Sequence, residues 1–259
     1  MPLNGGTPTP SYGALLLRGL LAGLIAGLLA GCFAYAFGEP KVDAAIAIEE
    51  AGSHASGAVE ADDGHHDEEL VSRDGQKGGL FLATALYGAA MGGLLATAYT
   101  LLRRRLRTPS DTRAALGLAG AALLGVVLVP YVKYPPNPPA VGNPATIDQR
   151  TISYLAILVL GLVAVWAGVV AARTQRAEWR QAVAAVIGFL VVVVVGYVLL
   201  PTIDEVPDTF PADLLWSFRI ASLGTQAVLW TALGLAFAAL LTARRTPAPA
   251  PEHETAAAV

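Results

Sequence analysis

Apolar residues in this chain come in long blocks, not in alternation. Six blocks, at about 14–37, 79–102, 114–132, 152–172, 181–200 and 220–242, are each close to the length a helix needs to cross a bilayer, which is ~20 residues. Period-two alternation, the mark of a membrane β-barrel strand, is missing from all of them. The pattern predicts an all-α, polytopic membrane helix bundle of about six transmembrane helices. Polar stretches fall between the blocks. The longest is an external loop at 38–78, and short tails at 1–13 and 243–259 are expected to be disordered.

Within the blocks, small residues recur at helical spacing. Gly19, Gly23, Gly27 and Gly31 share one face of the first span, Gly88, Gly92 and Ala96 one face of the second, and Gly117, Ala121 and Gly125 one face of the third. Such faces let two helices approach closely, so that dispersion holds them together in lipid. They are read as packing faces; the alternative is that they line or slide along a path. The first span also contains Leu29-Ala30-Gly31-Cys32, which has the form of a lipoprotein processing site. Its apolar run continues through Phe37, so Cys32 is read as a buried residue of a retained helix.

The segments that stop the helices are equally legible. Arg103-Arg104-Arg105-Leu106-Arg107 ends the second span. Lys133 to Pro144 carries too many prolines for any helix, because each removes a donor and restricts the residue before it. Pro211 suits the start of a helix that runs through Trp216 into the last span.

Composition agrees: 54% of the residues are hydrophobic and 14% charged, against ~25% charged in soluble domains. Charge distribution adds orientation. With the N-terminus inside, Arg18, Arg103, Arg104, Arg105, Arg107, Arg113, Arg173, Arg176, Arg180, Arg244 and Arg245 fall inside, and Lys41, Arg73, Lys77, Lys133, Arg150 and Arg219 outside. That asymmetry places both termini in the cytoplasm. Most carboxylates then face outward, which raises the local concentration of cations there.

Candidate chemistry concentrates in the long polar segment. It holds His54, His65 and His66, with Asp67 and Glu68 beside the last two. Imidazole and carboxylate together are ligands for first-row divalent metal ions. Glu39, Asp43 and Glu50 would lie on one stripe if residues 40–51 form a helix, making a carboxylate ladder from the membrane toward the histidines. The competing reading of both features is a solvated face and an acidic linker. A single cysteine excludes an intrachain disulfide and a cysteine-based metal cage. No phosphate-binding loop, nucleophile motif or zincin motif is present, which argues against an enzyme and against ATP hydrolysis within the chain. No charge sits in the middle of any span.

Several stretches together resemble one family: Phe37-Gly38-Glu39-Pro40, Val71-Ser72-Arg73, Val129 to Val141 with its Lys-Tyr-Pro-Pro-Asn-Pro-Pro core, Arg150-Thr151, and Phe210 to Arg219. They are similar to the probable cobalt transporter subunit CbtA family. The resemblance implies a subunit for uptake of a divalent transition metal, cobalt for cobalamin synthesis, in the bacterial inner membrane. It also implies a small single-span, histidine-rich partner of the CbtB kind. The metal would be cargo, and no resident cofactor and no nucleic-acid partner are expected. A membrane-bound metal sensor or scaffold that does not conduct is the alternative. The family is described with five spans, whereas the hydropathy here gives six.

Overall fold

The computed structural model describes residues 10–55, 72–106, 108–139, 141–142 and 144–243. Among them the helices are α1 (Tyr12–Phe33), α2 (Glu39–Ala55), α3 (Arg73–Leu102), α4 (Asp111–Ala122), α5 (Val129–Lys133), α6 (Ile147–Arg173), α7 (Glu178–Leu199) and α8 (Ala212–Thr242). Among the described residues six helical segments are long and apolar enough to cross a membrane, and the chain is a multi-pass membrane protein. Serine caps start three of them. Ser11, Ser72 and Ser110 accept hydrogen bonds from the backbone N–H groups of Ala14, Gly75 and Arg113, satisfying donors that a helix start leaves orphaned.

Two spans contain a wider, π-helical stretch, Ala34–Gly38 and Leu123–Leu128. Each stops two residues before a proline, Pro40 and Pro130. A proline ring clashes with the carbonyl four residues back, here that of Ala36 or Val126. Both carbonyls lie inside the π stretch, where bonding runs to the fifth residue instead. Glu39 N–H donates to the Ala34 carbonyl and Val129 N–H to the Leu124 carbonyl. The prolines thus widen these helices locally without ending them.

One consequence is that the helix of the first span does not end near residue 37 but runs as one rod of 41 residues, Tyr12–Gly52, so the helix considered for 40–51 is its continuation. At 1.5 Å per residue that is about 60 Å, roughly twice the ~30 Å hydrocarbon thickness. Much of α2 therefore projects beyond the bilayer, and the polar segment begins as a stalk.

Packing divides into a larger and a smaller group. In the larger, α1 lies along both α3 and α8, and α4 lies on α8. Leu233 and Phe237 of α8 are fully buried at its centre, with the Tyr99 ring edge-on to Phe237 at 5.5 Å. The α1–α3 contact is the most extensive between helices among the described residues, and it is a backbone-to-backbone one. A Cβ added to Gly88 would stand 2.6 Å from Cα of Gly27, and one added to Gly92 2.9 Å from Cα of Gly23. These backbones touch, as the glycine spacing predicted. In the smaller group α6 carries α7 and the Leu123–Lys133 stretch, around Val129, Ile157, Ala164 and Val193.

Cys32 does not behave as expected. It lies in α1 but is exposed. The buried face of α1 is set by Ala22, Ala26 and Ala30 with the glycines, and Cys32 points off that face.

Beyond the spans, Ala45 of α2, Val141 of the proline-rich stretch and Phe210 form a small core with Val206, Leu214 and Leu215. These contacts join α2, the 134–142 stretch and the 200–211 linker into a cap over one end of the bundle. That end is called the cap end below, and the opposite one the Arg103 end.

Candidate functional site

At the cap end, Glu39 and Asp43 sit one turn apart on α2. Both reach the same guanidinium. Arg73 Nη2 lies 2.6 Å from Glu39 Oε2 and 2.7 Å from Asp43 Oδ1, and Arg73 Nε donates to Asp43 Oδ1 at 2.9 Å. Lys77 Nζ approaches Asp43 Oδ2 at 3.1 Å. The two cations are one turn apart at the start of α3, so the pairs form a clamp between α2 and α3. Hydrogen bonds from Arg73 and then Lys77 hold the Asp43 carboxyl below its ordinary 3.8. The Asp43 side chain is 44% exposed, and solvent screens surface pairs of this kind, so they add little to stability. Their effect is geometric: they join the first turns of α2 to the first turns of α3.

The other sequence candidates are spread along the same stalk or fall outside it. Glu50 is exposed on α2 two turns past Asp43. His54 is in the last turn of α2, and its side chain lies outside the described residues. His65, His66, Asp67 and Glu68 also lie outside them. Among the described residues no three His, Cys, Asp or Glu side chains gather as a metal site. The sequence reading missed Arg73 as the counter-charge of Glu39 and Asp43. Its signal was present: a basic residue opening the next helix opposite two carboxylates ending the previous span.

Lys133, Arg150 and Arg219 at the cap end are fastened to neighbouring segments. Lys133 Nζ donates to the Tyr197 carbonyl at 3.1 Å, and Tyr134 Oη to the Pro201 carbonyl at 2.7 Å. Arg219 of α8 donates to Asn137 Oδ1 at 2.9 Å and to the Pro136 carbonyl at 3.4 Å. Arg150 of α6 donates to Glu205 Oε2 at 2.8 Å, and Thr146 donates to the other oxygen of the same carboxylate. The Glu205 side chain is only 5% exposed. Gly142, at φ 153°, has a backbone conformation that side-chain-bearing residues rarely adopt. A Cβ there would stand 3.0 Å from Arg150 Nη1, so glycine makes room for the Arg150–Glu205 pair. The proline-rich stretch is thereby tied to α6, α7 and α8.

Beneath this cap lies a crevice of about 1600 Å³, walled by α3, α4 with α5, α6 and α8. It runs through the bundle from Arg150, Glu205 and Arg219 to Arg105, Arg113 and Arg173. Its cap half is lined by polar groups. Ser222, Gln226 and Trp230 stand on one stripe of α8, and Tyr87, Tyr131 and Tyr154 come from the facing helices. Tyr131 Oη, Gln226 Oε1 and Trp230 Nε1 are buried without a hydrogen-bond partner among the described residues. Its other half is apolar, with Leu94, Leu118, Leu162 and Trp166 among the walls. Gly117 and Ala121 face this space. The third small-residue stripe therefore packs only at Gly125, whose Cβ would stand 2.9 Å from the Gly161 carbonyl oxygen of α6.

No curated protein and no solved structure matches this chain. A family model does: the one described as probable cobalt transporter subunit (CbtA) matches residues 12–242, which take in all six spans, the clamp, the cap and the crevice, and the chain belongs to that family.

Proposed function

We propose that this protein is the membrane-embedded subunit of an uptake system for a divalent transition metal, cobalt used for cobalamin synthesis. The observation that carries the reading is the family match across the whole described bundle. In this reading both termini are cytoplasmic, the membrane is the bacterial inner membrane, and the cap faces outward. A small single-span, histidine-rich subunit works beside it.

Capture falls to the polar segment that follows α2 in the sequence. His54, His65, His66, Asp67, Glu68 and Glu50 are the proposed contacts. Neutral imidazoles and carboxylates on a loop suit exchangeable binding, because a tight site needs ligands fixed by further hydrogen bonds. Glu39 and Asp43, proposed from the sequence as ligands, are engaged by Arg73 and Lys77. Their part is to join α2 to the start of α3, and a metal reaching them must compete with two cations. The polar half of the crevice offers hydroxyl and amide oxygens to a hydrated ion. The apolar half offers none, so passage requires a movement that the resting arrangement excludes.

The test is uptake of radiolabelled cobalt by sealed vesicles containing the chain together with a single-span, histidine-rich subunit. Accumulation inside that chelator outside cannot remove is the expected result. Metal bound only at the surface, and fully removed by chelator, would replace uptake with the sensor or scaffold reading.

A further inference from the structure

The Arg103 end of the crevice has a composition that metal uptake does not use. Arg105, Arg113 and Arg173 stand at its mouth. All three are exposed, and none pairs with a carboxylate among the described residues; Arg173 donates to the Arg105 carbonyl. The nearest carboxylate, Asp111, is held by Arg103 at 2.7 Å. Between them Thr108 Oγ1 lines the same mouth, buried and without a hydrogen-bond partner among the described residues. The group is a set of donors with no counter-anion among the described residues. At the cap end, by contrast, Arg150 and Arg219 have Glu205 and Asn137.

Directly beyond these donors the crevice wall is apolar. It is also open sideways, because α3 and α6 both line it but do not pack along each other. Leu94 of α3 and Leu155, Leu162 and Trp166 of α6 are all more than half exposed there. An occupant must bring an anion to the arginine mouth and hydrocarbon to the wall, and must enter from the bilayer.

We infer that the crevice is a binding site for an anionic phospholipid, whose phosphate takes Arg105, Thr108, Arg113 and Arg173 and whose acyl chains fill the apolar half. Guanidinium is suited to phosphate because its N–H groups match the phosphate oxygens in pairs. Basic pockets between spans recognise lipid headgroups by this charge. A partner helix or a second copy of this chain would use the apolar wall but leave the donor cluster unexplained. With chains seated there, the half of the crevice that lacks polar groups is plugged, and water from the cap side stops at Gln226 and Trp230.

The experiment uses the full-length chain in nanodiscs of phosphatidylcholine with or without phosphatidylglycerol, followed by native mass spectrometry of the released protein. Retention of phosphatidylglycerol and not phosphatidylcholine is expected. Each arginine near a membrane surface is worth about fivefold in attraction to anionic lipid, so the triple Arg105→Gln, Arg113→Gln, Arg173→Gln variant should lose about a hundredfold. Gly117→Leu leaves every charge in place. Gly117 faces the crevice, and a Cβ there would have nothing within 4 Å, so leucine fits the helix and fills the chain space, and lipid should be lost. Equal retention of the two lipids overturns the inference, and so does retention unchanged in Gly117→Leu. The mass of a second chain in place of lipid would make the crevice a dimer interface instead.

Discussion

Two glycines that look alike in the sequence should respond to alanine with opposite signs. Gly88 and Gly117 both lie within spans and both recur with small residues four positions away. In the structure a Cβ on Gly88 meets Cα of Gly27 at 2.6 Å and its nitrogen at 2.8 Å. Carbon atoms in contact rest ~3.5–4.0 Å apart. The obstacles are backbone atoms, which cannot swing aside, so α1 and α3 must part by roughly 1 Å. That gap would run along the most extensive helix pair among the described residues. Overpacking of this kind costs ~1–3 kcal/mol. In lipid nothing repays it, because parted helix faces meet hydrocarbon as apolar as themselves. A Cβ on Gly117 meets nothing within 4 Å, and alanine there gains helix propensity of up to ~1 kcal/mol. Unfolding in mixed micelles with increasing SDS, followed by circular dichroism and tryptophan fluorescence, measures both. Gly88→Ala should unfold earlier than wild type, and Gly117→Ala at the same point or later. A Gly88→Ala protein as stable as wild type would refute the backbone-to-backbone contact.

Three further outcomes are expected. The clamp should respond to pH in one direction: Asp43 titrates below its ordinary 3.8 because Arg73 and Lys77 favour its charged form, so its contribution is present above that pH and lost as pH falls through the lowered value. A spin-label distance between positions 47 and 76 should hold from neutral pH to about pH 4 and widen below it, and Arg73→Gln should be wide throughout. Replacing His54, His65 and His66 together by alanine should lower cobalt uptake several-fold at limiting metal and little at saturation; external pH below ~6 should mimic it, since imidazole binds metal only when deprotonated, and identical uptake curves would reduce the segment to a linker. Reporter fusions at Gly57 and Pro247 should report opposite sides of the membrane, with Pro247 inside; a same-side result would mean an even number of spans between them and remove the six-span topology, and Pro247 outside would remove the proposed orientation.

The sequence by itself determined the six spans, their approximate ends and the helix-breaking proline stretch. In hydrocarbon each backbone group must be satisfied within its own helix, so a span is a local property that composition reveals. It also marked the stripe of Gly19, Gly23 and Gly27, because backbone contact leaves no room for any other residue. The tertiary structure decided which faces meet. Lipid is as apolar as a leucine on a neighbouring helix, so an apolar stripe does not say whether it faces protein or bilayer. That is why Gly117 and Ala121, expected to pack, line a crevice, and why Cys32, expected to be buried, is exposed. It is also why Glu39 and Asp43 could be read as metal ligands from their spacing. Their partner Arg73 is 34 and 30 residues away along the chain, and only the folded arrangement of α2 beside α3 puts its charge between them.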